Sequence, residues 1–167
     1  SIKFCGGTRF RHNLILESKM NLYTDILLEE ERLKILETVK SFVKDLGPTT
    51  FPGLQTPPFF HEHETMKVLL KKTKPYYKKY DITKCWANFS LGNIIGWHNH
   101  KGSDKTMVYM LENKCNMGPM FKKEGSEVET PRCPENSLLL FDSTLLHSMP
   151  CHLPQDRYSI SFELMKK

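Results

Sequence analysis

Short segments rich in β-branched and aromatic residues follow one another from residue 83 onward. Gly, Pro, Asn and Asp separate these segments, which are TKCWANFS, NIIGWHNH, KTMVYMLE, MGPMFKK, SEVET, NSLLLFD, LLHSMP and DRYSISFEL. Many short strands at close spacing are typical of an antiparallel sandwich or barrel rather than a parallel sheet. The second half of the chain is therefore predicted to be mainly β.

The first half of the chain has helical patterns instead. Residues 24–47 carry apolar side chains at helical spacing, with Thr24 as a candidate N-cap and Gly47 as the stop. A second helix is predicted from about Glu62 to Lys72. The stretch before it, residues 48–60, is rich in Pro and Thr and is predicted to be an ordered loop.

Length and cysteine content restrict the class of protein. At 167 residues the chain is expected to be one domain, with a helical support region in 1–82 and core strands in 83–167. Its five cysteines are an odd number without a close CxxC pair, which favours a reducing, cytoplasmic compartment over a disulfide framework. No apolar run approaches the ~20 residues that cross a bilayer, so we expect neither a membrane span nor a leader.

A basic stretch lies in residues 67–80, KVLLKKTKPYYKKY, and accounts for part of the net charge of +5. Interleaved Lys and Tyr could bind phosphates and stack on bases, as in nucleic-acid grooves. A solvated helix face whose Tyr rings pack inward is the more ordinary interpretation. Nucleic acid is therefore only a minor expectation as a partner.

Three histidines form a candidate metal site. His98 and His100 lie one residue apart at the end of a predicted strand, where alternation would point both to one side. His147 begins another predicted strand and could complete a metal site on a barrel wall. The alternative is two surface histidines and one core histidine. His61 and His63 repeat the spacing without a distant partner, so capping or exposure is expected for them.

Arg157 and Ser159 follow His147 on the last predicted strand. Because their side chains should share one face, they offer a guanidinium and a hydroxyl to a single carboxylate. An exposed charge at the end of a strand is the ordinary alternative for Arg157. The spacing predicts an anion site near the histidines.

Together these pieces resemble the small 2-oxoglutarate- and Fe(II)-dependent oxygenases of phages and bacteria that are related to prolyl hydroxylases. The resemblance covers residues 86–164 and rests on WANFSLGNIIGWHNHKGSDKTMVYML, NSLLLFDSTLLHSMP and DRYSISF in that order. It implies a double-stranded β-helix, or jelly roll, with helices on one side. It also implies hydroxylation of a substrate, with peptidyl or free proline as one option, consumption of 2-oxoglutarate and O2, and release of succinate and CO2.

The resemblance also implies roles for individual residues. The hydroxyl of Tyr109 would donate a hydrogen bond to the cosubstrate carboxylate, or the ring would line the pocket. The alternative is that Tyr109 is an ordinary core residue. Asn88 would reach the iron-side end of the cosubstrate, unless its amide pairs with backbone. The implied site residues are His98, His100 and His147 for Fe(II), and Arg157, Ser159, Tyr109 and Asn88 for 2-oxoglutarate.

His100 departs from the family pattern, which is His-x-Asp or His-x-Glu. Three interpretations are open, and we favour the first, in which three neutral histidines bind the metal. In the second, Asp104 or Asp142 supplies the carboxylate. In the third, the register shifts so that His100 is the first ligand and Gly102 leaves an empty position.

Two other functions are compatible with the sequence. A cupin-like three-histidine dioxygenase would need no 2-oxoglutarate and would leave Arg157 without a role. A non-catalytic jelly-roll binding module would use the basic stretch 67–80 as its working surface. Loops 47–60 and 111–134 are expected to form the rim of the pocket, which sets substrate specificity. Their residues do not indicate which substrate binds.

Overall fold

The computed structural model describes residues 20–45, 54–90, 95–122, 127–149 and 157–167. The strands are β1 (Met20–Tyr23), β2 (Leu54–Gln55), β3 (Tyr80–Ser90), β4 (Ile95–His98), β5 (Lys105–Asn113), β6 (Met120–Lys122), β7 (Val128–Glu129), β8 (Ser137–Asp142), β9 (His147–Met149) and β10 (Arg157–Lys166). The helices are α1 (Glu29–Asp45) and α2 (Lys67–Thr73), with 3-10 turns at Phe60–Glu62, Glu64–Met66 and Lys74–Tyr76.

The strands form two antiparallel sheets. The larger sheet has the order β1-β8-β5-β10-β3-β2, and the smaller has the order β4-β9-β6-β7. Every segment predicted as a strand from the sequence contributes to one of them. Two facing sheets with helices packed on one side form a jelly roll, or double-stranded β-helix, which confirms the predicted fold class.

Two apolar cores lie on opposite faces of the larger sheet. On β5, Met107, Tyr109 and Leu111 join the core under α1, whereas Val108 and Met110 join the core between the sheets. Alternation of side chains along the strand sends neighbours to opposite faces. Both faces are therefore buried, which explains why this strand reads as a continuous apolar run.

Helix α1 begins four residues later than predicted, at Glu29 instead of directly after an N-cap at Thr24. The chain before it is held by Asn136, which accepts the N–H of Leu27 through Oδ1 at 2.9 Å and donates to its carbonyl through Nδ2 at 2.8 Å. Glu31 then accepts the N–H of Leu28 at 2.8 Å, which is half of a capping box. The predicted stop at Gly47 lies outside the described residues.

The predicted second helix is a series of short turns around α2. His63 caps one of them, because its Nδ1 accepts the N–H of Thr65 at 3.3 Å. Capping was one of the two roles expected for His63. In the basic stretch, Lys71 and Lys74 are exposed while Tyr77 is buried, as in the solvated-face interpretation. None of the described helices has the length and apolarity that a bilayer crossing requires.

The first half of the chain contributes strands as well as helices. Strand β1 pairs with β8, and β2, inside the stretch predicted as a loop, pairs with β3. These strands have four and two residues, which is too short for a period of two to be recognised. The helical support region therefore also supplies both edges of the larger sheet.

Candidate metal centre

The structure brings His98, His100 and His147 together. Strands β4 and β9 are antiparallel neighbours, and His98 lies directly opposite His147 in their register. His100 follows β4 and is fixed by a hydrogen bond from its backbone N–H to the carbonyl of Ser143 at 3.0 Å. One ring nitrogen from each histidine lies within 4.8 Å of the other two. That spacing allows a single cation to contact all three.

The ring orientations also suit a cation. Each Nδ1 has an acceptor: Gly96 O for His98 at 2.8 Å, Leu145 O for His147 at 2.9 Å, and Glu163 Oε1 for His100 at 3.1 Å. A carbonyl or carboxylate oxygen only accepts, so each Nδ1 carries the proton and each Nε2 keeps its lone pair. Ligating histidines are oriented in this way in metal sites. The residues present therefore fit a divalent metal.

Burial keeps two of the rings neutral. It lowers the pKa of His147 to about 4, with a smaller lowering from the neighbouring histidines. It also lowers the pKa of His100, and the proximity of His98 acts in the same direction. Neutral imidazole is the form that binds metal, so these two ligands need lose no proton near pH 7.

Asp104 and Asp142 are engaged elsewhere. Asp104 Oδ2 accepts the backbone N–H of Lys166 at 2.7 Å, and Asp142 Oδ1 pairs with Lys105 at 2.7 Å. Neither joins the cluster of three histidines. The geometry agrees with the three-histidine interpretation, and the place of His98 in the cluster argues against the shifted register.

A cavity of about 790 Å³ opens beside the histidines. Its wall contains both aromatic and polar groups, and the main lining side chains are Trp86, Trp97, Met149, Asn88, Ser159, Ser161, Lys84 and Glu163. Both predicted rim loops contribute, through Gln55, Thr56 and Pro58 in the first and Pro119 in the second. The cavity can hold a small molecule together with part of a larger one.

Asn88 and Ser159, two of the residues expected to bind 2-oxoglutarate, line this cavity. Asn88 donates to Ser161 Oγ at 3.0 Å and accepts from Gln55 Nε2 at 2.9 Å, so its amide pairs with side chains rather than backbone. Sequence reasoning missed Ser161 and Gln55. Alternation on β10 could have found Ser161, because it lies two residues after Ser159.

Arg157 is buried but is not among the cavity-lining residues. Its described contacts are Asn113 Oδ1 at 3.2 Å, Met117 O at 3.0 Å, Cys115 Sγ at 3.2 Å and Met149 Sδ at 3.9 Å. The pairing of β10 with β5 shifts register between Tyr158 and Ser159, directly after the arginine. Because Met149 lines the cavity and its sulfur contacts Nη1, the guanidinium lies one side chain behind the wall.

Tyr109 does not lie where the resemblance placed it. The ring is fully buried in the core under α1, and its hydroxyl donates to Asn136 Oδ1 at 2.8 Å. Val108, its neighbour, takes the cavity face of β5. Because alternate residues face opposite sides, Tyr109 can neither line the pocket nor contact a cosubstrate there.

We expect Tyr109→Phe to lower the free energy of unfolding by about 1–2 kcal/mol, because a buried hydrogen bond to Asn136 is lost. Metal and 2-oxoglutarate affinities should stay at wild-type values. Urea unfolding measures the first quantity and ligand titration the second. Tyr76→Phe, on a half-buried ring that stacks on Tyr23, is the matched control. A loss of 2-oxoglutarate affinity in Tyr109→Phe alone would contradict the placement.

Comparisons with known proteins establish the fold. No protein-family model and no curated protein matches the chain. A prolyl hydroxylase from Trichoplax adhaerens, in complex with a hypoxia-inducible-factor peptide, is similar over 92% of this chain and 86% of its own, at 17% identity and a TM-score of 0.66. HygX from Streptomyces hygroscopicus, with nickel and 2-oxoglutarate bound, is similar over 97% and 88%, at 10% identity and a TM-score of 0.67.

A third structure is the viral collagen prolyl hydroxylase vCPH from Paramecium Bursaria Chlorella virus-1. It is similar over 90% of this chain and 98% of its own, at 12% identity and a TM-score of 0.63. These likenesses show that the protein has the double-stranded β-helix fold. Within this fold the chain carries a three-histidine cluster at its cavity. At such identities they define the fold alone, and function rests on the site.

Proposed function

We propose that the protein is a non-haem Fe(II)- and 2-oxoglutarate-dependent oxygenase that hydroxylates a substrate and releases succinate and CO2. The observation that carries the proposal is the convergence of three oriented imidazoles at the wall of a large cavity. Similar structures that contain iron or nickel and 2-oxoglutarate support it. When bound, Fe(II) would provide, with 2-oxoglutarate and O2, the chemistry that oxidises a C–H bond.

The protein contributes ligands and a shaped, charged cavity. His98, His100 and His147 would hold the metal through Nε2. Ser159 and Asn88 would bind 2-oxoglutarate along the polar wall.

Arg157 is proposed to bind the far carboxylate of 2-oxoglutarate. Its Nη1 is separated from the cavity by Met149, whose sulfur lies 3.9 Å away. Methionine is flexible, so a change of rotamer would open a path from this nitrogen to a carboxylate in the cavity. A cation at that depth gains strength from burial, because water screens it less.

For the substrate, we propose peptidyl or free proline first. Trp86 and Trp97 give the cavity an aromatic wall, and Trp97 is 42% exposed. Two of the similar structures are named as prolyl hydroxylases, one of them with a peptide bound. We also propose a cytoplasmic location, in keeping with the free thiols of Cys85, Cys115 and Cys133.

A second candidate function is a cupin-like three-histidine dioxygenase that uses no 2-oxoglutarate. Two observations favour it: the cluster contains only histidines, and Arg157 does not line the cavity. Both candidates require a bound metal. They differ in whether 2-oxoglutarate binds beside it.

Anaerobic titration with Fe(II), with and without 2-oxoglutarate, separates the two. We expect Fe(II) to bind, and a visible charge-transfer band to appear only when 2-oxoglutarate is added, because its keto acid end chelates the metal. Succinate should serve as a control that gives no band. When air and a cell extract are then added, the protein should release succinate, which is measured by mass spectrometry. Metal binding without the band would favour the cupin-like function, and failure to bind any metal would contradict both.

A further inference from the structure

Glu163 is a polar cavity residue that the sequence did not single out. Its carboxylate contacts three groups, each at 3.1 Å: His100 Nδ1, Ser103 Oγ and Lys84 Nζ. Its side chain is only 12% exposed and lines the cavity. Both oxygens are engaged, Oε1 by the imidazole and Oε2 by the hydroxyl and the ammonium. The carboxylate is thus fixed directly behind His100.

Glu163 and Lys84 lie opposite each other on the cavity side, next to a β-bulge. Glu163 pairs with Lys84 across β10 and β3, but the next residue, Leu164, pairs with Ile82. Thr83 is therefore the extra residue, and its hydroxyl donates to the carbonyl of Glu163 at 3.2 Å. The bulge lets Lys84 line the cavity while Ile82 packs against the core under α1. Bulges of this kind re-aim side chains and are frequent beside functional sites.

His100 differs from the other two histidines in its Nδ1 partner. His98 and His147 donate to backbone carbonyls, which are neutral, whereas His100 donates to a carboxylate. A carboxylate makes an imidazole a stronger ligand and brings a negative charge close to the metal. Lys84 offsets part of this charge, but it is 55% exposed and its field is screened more than that of the buried Glu163.

We propose that Glu163 is a positioning residue of the metal centre. Its carboxylate holds the Nδ1–H of His100, directs the Nε2 lone pair toward the cation, and supplies the negative charge that a third histidine cannot supply. The carboxylate acts through the imidazole rather than on the metal. The inference rests on the proposed metal site, and it explains how a cluster of neutral ligands could hold a divalent cation firmly.

Two substitutions test the two parts of this role. Glu163→Gln keeps an oxygen acceptor for His100 and removes the charge, whereas Glu163→Leu removes both. Glu112→Gln is the matched control, because Glu112 is also a largely buried strand glutamate beside a lysine, Lys40 at 3.5 Å, and does not line the cavity. Co(II) affinity of the full chain is measured by anaerobic titration of its visible absorption.

We expect Glu163→Gln to weaken Co(II) binding about tenfold and Glu163→Leu to weaken it toward 100-fold, the range found when the partners of ligating histidines are removed. Glu112→Gln should bind Co(II) as the wild type does. Wild-type affinity in both Glu163 variants would overturn the inference while leaving the metal site intact. If the wild-type protein itself takes up no Co(II), the proposed function fails instead.

A second measurement does not depend on metal at all. Nitrogen-15 NMR of the metal-free protein reports which ring nitrogen of His100 carries the proton. We expect the Nδ1–H form in the wild type and a mixture of both forms in Glu163→Leu. An unchanged Nδ1–H form in that variant would overturn the orienting role. Melting temperatures of all variants show whether the fold is retained.

Discussion

Replacing His147 with alanine is expected to remove detectable metal binding. A four-ligand zinc site contributes about 10–16 kcal/mol, so one ligand is worth roughly 3–4 kcal/mol, or a factor of roughly 10²–10³ in affinity. His147 lies opposite His98 in the register and near His100, with ring centroids at 4.4 Å and 5.1 Å, so its loss leaves the pair without a distant partner. Anaerobic Co(II) titration of the purified protein measures the affinity.

His63→Ala is the matched control for this experiment. His63 belongs to the other His-x-His pair but caps a 3-10 turn and stacks on Phe60, with ring centroids 5.7 Å apart. It should lose some stability and keep wild-type Co(II) affinity. Retained Co(II) binding in a folded His147→Ala protein would refute the site, whereas a loss in both variants would indicate general damage to the fold.

Replacing Arg157 with glutamine is expected to weaken 2-oxoglutarate binding by about 10- to 100-fold and to spare the metal. A hydrogen bond to a charged group is worth about 1.5–3 kcal/mol, and only Nη1 of Arg157 faces the cavity-lining Met149 and can give one to a carboxylate there. Glutamine keeps donors for Asn113 and Met117, which Arg157 contacts in the structure, so the fold should survive. Titration of the Fe(II)-loaded protein, followed through the visible band, gives the affinity.

Arg132→Gln removes an exposed arginine from the same half of the chain and should leave both affinities unchanged. Equal 2-oxoglutarate affinity in Arg157→Gln and the wild type would reject the assignment of Arg157. In that case the carboxylate would have to bind to the polar wall of Asn88, Ser159 and Ser161 or to Lys84, which also lines the cavity.

Local patterns in the chain were sufficient to predict much of the fold. The strand segments could be recognised because each has β-rich composition and turn residues at both ends, and α1 because its apolar residues recur at helical spacing. The histidine pair was visible because its spacing is local. The third histidine could be added because it begins a strand of its own.

Other features were decided by contacts between distant parts of the chain. Helix α1 starts at Glu29 because Asn136, more than 100 residues away, binds both the N–H and the carbonyl of Leu27. Tyr109 faces the helices, which the sequence did not show. Because β5 is buried on both sides, the apolar pattern of the strand does not reveal which face meets the cavity. No periodicity within a segment encodes either fact.

The sequence by itself determined the strand-rich architecture, the local histidine pair and the polar face of β10, since these depend on residues within a few positions of each other. Tertiary structure alone decided that Glu163 stands behind His100 and that Arg157 lies behind Met149. Both arrangements depend on contacts between distant residues: Glu163 contacts His100, 63 residues away, and Arg157 contacts Asn113, 44 residues away. The physical reason is that pairing between strands, which fixes the direction of each side chain, depends on hydrogen bonds between residues far apart in the chain.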